Sequence, residues 1–435
     1  MSILAGTAQR VDDVVARLQA RGRVPSLSVG VLRDGTLVHV SAAGEVPSPE
    51  TQFRIGSVTK TFTAVLVAQL SDEGLLSLDD PVTSHLPGAP VGGVCVRQLV
   101  AHVSGLQREP DGEWWERARG CDVDTLLAGL TPQKLALPPH DRHHYSNLAY
   151  GLLGAVLTRV TGEEWADLLT SRLLEPLELR RTTYHPRPPY ARGYVVHPWY
   201  DTLREEPRHD AGAMAPAGQL WSTLADMAAW AGFLCDPPPA VLAPATLARM
   251  CAPVALADID TWTAGHGLGI QLWRRGERVY IGHSGSMPGY LALLAVHRPS
   301  RTGVVAFANA YTMRGGFVTQ LLGLLTEVLD REPPPRPPAW RAAPCPPPAQ
   351  VAALCGRWWW MGQEYAASWD AHARELVVTP LAVPGAVPWR FAEEGPDRWR
   401  GRSGMNDGEV LQVRRTPEGD VAALDIATFV LTRRP

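Results

Sequence analysis

Lysine is almost missing from this chain: of its 41 basic side chains only two are lysines, Lys60 and Lys134, and the rest are arginines. A guanidinium stays protonated in any ordinary site, whereas an amine gives up its proton when it is desolvated or set beside another positive charge. A lysine kept among so many arginines therefore points to a place where the amine must titrate. An excess of charge of either sign is also missing. The net charge is −3, with no basic run and no acidic tail, which argues against nucleic acid or an anionic membrane as partner. No apolar run reaches membrane-spanning length, and Met1 to Arg10 lacks a basic stretch followed by a continuous apolar core, so a soluble, cytoplasmic protein is expected. Cys95, Cys121, Cys235, Cys251, Cys345 and Cys355 are scattered without the paired spacing of zinc or redox sites, and read as reduced thiols. Gly-x-Ser-x-Gly occurs nowhere, which disfavours an ordinary α/β-hydrolase.

Against these absences, Lys60 stands three residues after Ser57 in Gly56-Ser57-Val58-Thr59-Lys60. The stretch that follows spaces Phe62, Val65, Leu66 and Leu70 as on one helix face. One helical turn sets hydroxyl and amine side by side. A weak nucleophile next to a base is the minimum for covalent catalysis by serine. Lys134, at a polar-to-apolar transition, has no such companion and reads as a surface residue.

At 435 residues with 45% hydrophobic content, the chain is long enough for two domains, one of them large. Arg10 to Arg21 reads as an amphipathic helix. Ser26 to Leu32 and Thr36 to Val40 read as strands around the turn Arg33-Asp34-Gly35. Leu148 to Val160 and Glu164 to Leu174 are helical in period. Val279 to Gly282, Leu291 to His297 and Gly303 to Ala308 are strand-like, and Phe317 to Arg331 is an apolar helix. The proline-rich stretch within residues 332–348 predicts a stiff spacer between a domain over 1–331 and a second over 349–435. Short alternating segments there, at Leu376 to Thr379, Val410 to Val413 and Thr428 to Thr432, predict a small β-barrel. Its tryptophans, among them Trp358, Trp359, Trp360, Trp369, Trp389 and Trp399, are expected to form its core.

Two further groups of residues carry chemistry. Tyr145 and Asn147, in His143-His144-Tyr145-Ser146-Asn147, sit just before a helix, where a phenol could relay a proton and an amide could hold a carbonyl. His283-Ser284-Gly285 follows a strand pattern, and its glycine would let a substrate lie against the strand edge. His140, His143 and His144 lack the spacing and the acidic or thiol partners of a metal site, so no metal or other cofactor is expected. His102 and Ser104, in Ala101-His102-Val103-Ser104-Gly105-Leu106, read as loop support.

Taken together, Ser57-x-x-Lys60, Tyr145-x-Asn147 and His283-x-Gly285 resemble the motif set of the serine β-lactamase and penicillin-binding protein superfamily, the tyrosine resembling its class C branch. Ala101 to Leu106 and Ala215 to Leu220 look like this family too, so the resemblance covers about Asp12 to Arg331. It implies an α/β (α+β) fold: a mixed sheet flanked by helices, a helical subdomain, a cleft between them, and here an added lipocalin-like barrel. It also implies roles. Ser57 would attack a carbonyl, Lys60 would take or help take its proton, Tyr145 would relay it to the leaving group, and Asn147 would orient the substrate amide. The backbone N–H groups of Ser57 and Ser286 would face the oxyanion. His283 would line the same edge, replacing the lysine common in β-lactamases. The expected activity is that of a serine hydrolase forming an acyl-enzyme on ester or amide bonds of small molecules or short peptides, those with D-residues included. Peptidase and esterase stay open. β-Lactamase or DD-peptidase activity, or a non-catalytic acyl-binding sensor, are the alternatives, and the sequence does not give the oligomeric state.

Overall fold

The segment Ser26–Arg33 is buried along nearly its whole length, because its two-residue alternation has a covered face on each side. Leu27, Val29 and Val31 point into one apolar cluster and Leu32 into another. The same division recurs in Tyr290–His297, where Leu291, Leu293 and Ala295 face one side and Tyr290, Ala292, Leu294 and Val296 the other. A sheet with helices on both faces requires such continuous apolar runs, so its central strands show no polar side in the sequence. The computed structural model describes residues 2–45, 48–112, 119–332, 342–343 and 346–435. It divides into two compact units, residues 1–335 and 336–435.

In the first unit, helix α1 (Ala5–Gly22) precedes strands β1 (Ser26–Arg33) and β2 (Thr36–Gly44). Helices α2 (Thr59–Asp72), α3 (Asn147–Thr161) and α4 (Leu224–Cys235) follow. Next come β3 (Ala255–Leu256), β4 (Ala264–His266), β5 (Gln271–Arg275), β6 (Arg278–Met287), β7 (Tyr290–His297), β8 (Thr302–Ala308) and helix α5 (Phe317–Arg331). The sheet runs β2-β1-β8-β7-β6-β5-β4-β3. The expected α/β layering is present; within the sheet the pairings between neighbouring strands are antiparallel rather than mixed in direction. Helices α1 and α5 cover one face, with Val11, Val15 and Leu18 sharing one apolar cluster with Leu321, Leu325 and Val328. On the other face lie α4 and the helical layer built around α2 and α3. Both are buried on almost every side, as expected of helices that are apolar all round.

The second unit contains a closed barrel of eight antiparallel strands, running from Gly356–Trp360 to Phe429–Thr432. Trp358 and Trp399 are fully buried in it, while Trp360, Trp369 and Trp389 are partly buried and pack on its core. Of the expected spacer, residues 333–341 and 344–345 lie outside the described residues, as does Cys345. The five cysteines that are described are free thiols. Among the described residues no helix is long and apolar enough to cross a membrane.

Lys134 departs from its expected surface position. Its residue is buried, the stem packed at the turn Pro132–Lys134, and its ammonium reaches Asp111 at 2.5 Å. A long aliphatic stem can be covered while its charged end finds a carboxylate, and polarity along the chain does not reveal that.

Candidate active site

Ser57 sits in a single 3-10 turn, Gly56–Val58, that leads into α2, so Lys60 lies in the first turn of the helix proper. Gly56 has φ +52°, and a Cβ there would lie 2.5 Å from the backbone nitrogen of Ser286. Strand β6 thus presses its backbone against the turn that carries Ser57. Gly285 shows the same contact from the other side: a Cβ would stand 1.9 Å from the carbonyl oxygen of Ile55. That glycine is required by packing between β6 and the serine turn, a tighter constraint than the open strand edge expected from the sequence. The backbone of Ser286 is thereby set close to the turn that carries Ser57.

Lys60 is completely buried. Its Nζ lies 3.2 Å from Ser57 Oγ, 2.6 Å from Asn147 Oδ1 and 2.6 Å from the carbonyl oxygen of Ala217. Burial holds the amine well below the usual lysine range; Glu109 opposes that shift and Arg108 adds to it. All three close partners of Nζ are oxygens that accept from it, Asn147 Oδ1 and the Ala217 carbonyl at the shorter distance and Ser57 Oγ at the longer one.

The tyrosine and asparagine are brought to this amine by the start of α3. Ser146 is its N-cap: its Oγ accepts from Ala149 N at 3.0 Å and donates to the Gln107 carbonyl at 2.8 Å. The hydroxyl between Tyr145 and Asn147 therefore anchors the helix end to the loop 102–109. Burial pushes the Tyr145 phenol above its ordinary value, with its hydrogen bond to the Ser57 side chain opposing this, so it stays protonated at neutral pH. The rings of Tyr145 and Tyr150 flank Lys60, their centroids 5.0 and 5.2 Å from Nζ.

His283 is buried in β6. Its Nδ1–H donates to the Ser284 carbonyl at 2.5 Å, which leaves Nε2 without a proton. Burial lowers its pKa to about 3, so it is uncharged at neutral pH. It offers no permanent positive charge where the lysine of β-lactamases would. His102 supports the tyrosine, as expected for a loop residue: its ring stacks on Tyr145 at 4.2 Å and its Nδ1 accepts from Ser146 N at 3.1 Å.

Three features were not anticipated from the sequence. Glu109 accepts from Asn147 Nδ2 at 2.7 Å, fixing which end of the amide faces Lys60. The Ala217 carbonyl belongs to a segment drawn close to α3 because Gly154 leaves room for Pro216; a Cβ at 154 would be 2.4 Å from its ring. His266 of β4 stacks on His143 at 4.3 Å and approaches His102 at 5.3 Å, which extends the imidazole cluster behind Tyr145. Among the described residues no group of three or more metal-ligating side chains could hold a metal. A cavity of about 980 Å³, lined by Leu127, Thr158, Trp165, Tyr184, Asp210 and Pro216, lies elsewhere and includes none of Ser57, Lys60, Tyr145, Asn147 or His283. Converging reactive groups, rather than volume, mark the site.

Several known proteins are similar to this chain in sequence and fold. Beta-lactamase-like protein 2 of Dictyostelium discoideum is 26% identical over 322 residues, which is 68% of this chain and 58% of that protein's length. The solved D-stereospecific amidohydrolase from Streptomyces sp. is 26% identical, covers 70% of this chain and 94% of its own, and superposes with a TM-score of 0.61. SurE, solved with D-Leu, is 28% identical and matches 99% of this chain and 100% of its own at a TM-score of 0.60. A domain of unknown function, DUF7586, matches residues 347–433. The Beta-lactamase family model matches residues 11–322, well over half of the sequence, and the chain belongs to that family.

Proposed function

We propose that the protein is a serine hydrolase that cleaves ester or amide bonds of small aminoacyl or short peptide substrates, D-configured ones included, through an acyl-enzyme on Ser57. The observation that carries this reading is the buried Lys60 amine, 3.2 Å from Ser57 Oγ with its two other close contacts on oxygen acceptors. As Oγ attacks the carbonyl carbon, its proton passes to the lone pair of Nζ. The backbone N–H groups of Ser57 and Ser286 meet the oxyanion. Collapse of the tetrahedral intermediate breaks the bond to the leaving group, which takes its proton from the Tyr145 phenol. Lys60 restores that proton. Water then attacks the acyl-enzyme by the same route in reverse.

Two observations support the substrate class. A D-stereospecific amidohydrolase and a protein solved with D-Leu are among the similar structures. The neutral His283 supplies no fixed cation for the carboxylate of a β-lactam, which favours the ester and amide reading over a lactamase. The test is a panel of paired D- and L-aminoacyl p-nitroanilides and thioesters beside a chromogenic cephalosporin, together with mass spectrometry after an active-site phosphonate. Turnover of the D-aminoacyl reporters with mass added at Ser57 is expected. Labelling that persists in Ser57→Ala, or turnover confined to the cephalosporin, would overturn the reading.

A further inference from the structure

Glu109 enters the site from the loop after Leu106, far in sequence from every motif. Its Oε1 accepts from Asn147 Nδ2 at 2.7 Å, and Asn147 Oδ1 accepts from Lys60 Nζ at 2.6 Å. One side-chain amide therefore bridges a carboxylate to the amine. Arg108 Nε donates to the same carboxylate at 3.2 Å, and the guanidinium stands 6.0 Å from the Tyr145 ring centroid. Among the described residues the other titratable groups around Lys60 are Tyr145 and Tyr150, which flank it, and His102, His266 and His283. Burial disfavours the charged form of each of these three imidazoles. Among the described residues Glu109 and Arg108 are thus the formal charges felt by the amine, with opposite signs.

We propose that Glu109 is a positioning residue that locks the Asn147 amide with its oxygen toward Lys60 and, through that bridge, sets the proton affinity of the amine. This rests on Lys60 being the base. The geometry supplies the first half: with a carboxylate accepting from Nδ2, the amide has only one orientation that satisfies both neighbours. Charge supplies the second. A carboxylate held by a bridging amide stabilises the ammonium form of Lys60, and the arginine beside it partly cancels that effect. The pair would keep the amine's affinity low enough to be neutral near pH 7 and high enough to accept the serine proton.

The experiment measures the rate of Ser57 acylation by an uncharged aryl ester between pH 5 and 10 in wild type, Glu109→Gln and Arg108→Gln, with thermal melting alongside. Glutamine still accepts from Asn147 but carries no charge. Loss of the carboxylate lowers the amine pKa, so the acid limb of Glu109→Gln should move down by roughly half a pH unit or more. Loss of the guanidinium raises it, so the limb of Arg108→Gln should move up. Displacement in the same direction in both variants, or an unmoved limb in Glu109→Gln with an unchanged melting temperature, would overturn the role of Glu109 alone. A flat wild-type profile would overturn Lys60 as base and this inference with it. If Glu109→Gln melts early, the sign of the Arg108→Gln shift still decides.

Discussion

Gly285 and Ile55 meet so closely that a single methyl on the glycine would lie 1.9 Å from the isoleucine carbonyl oxygen. This contact fastens strand β6, which carries His283 and Ser286, to the turn that carries Ser57. It ties two of the three motifs together through backbone alone.

Gly285→Ala should therefore destabilise the fold by about 1–3 kcal/mol, as over-packing does, and slow acylation by moving Ser286 away from Ser57. Gly93→Ala is the control, since nothing lies within 4 Å of a Cβ there. Thermal melting and phosphonate labelling read both effects. A Gly285→Ala protein that melts and labels like wild type would show that the contact does not position the site.

Lys60→Met keeps the packing of the buried stem and removes the amine. Acylation should fall by ~10²–10⁴-fold across pH 6 to 10, the range typical of losing a general base. Tyr145→Phe should lower the rate but keep the acid limb of the pH profile, because the phenol is protonated throughout that range. An acid limb that disappears in Tyr145→Phe and survives in Lys60→Met would assign the base to the tyrosine instead.

The imidazole cluster gives a pH dependence of stability. Burial lowers the pKa of His102, His143, His266 and His283 below the 6.5 of an exposed histidine, to about 3 for His283. The unfolded chain then binds more protons than the folded one. Stability from these groups is fully present above pH 6.5 and is lost as pH falls from 6.5 toward their folded values. His266→Phe should flatten the fall in melting temperature between pH 6.5 and 4.5. An unaltered slope would mean that His266 is not held neutral.

Much of this was legible in the sequence because it is local. Ser57 and Lys60 are one turn apart. Asn147 opens a helix whose period is plain, and Phe317–Arg331 is helical over the span its pattern predicts. The remainder is decided by contacts between distant segments. Glu109 lies 38 residues from the amide it holds, and Ala217 contributes a carbonyl that any residue would have. His266 follows a glycine on a short strand and reads as an ordinary polar residue until the fold sets it against His143. At Gly285 the sequence shows that a Cβ is missing, but only the fold shows that the Ile55 carbonyl occupies its place.

The central claim is that Lys60 is an uncharged amine in the resting protein, and the scarcity of lysine makes it directly measurable. Labelling with [ε-¹³C]lysine gives only two side-chain signals, and Lys134→Arg identifies which belongs to Lys60. Followed by NMR from pH 6 to 11, the Lys60 carbon should already show the chemical shift of a neutral amine at pH 8. A Lys60 signal that stays in the ammonium position to pH 9 and titrates near the ordinary lysine value of about 10.4 would contradict the account.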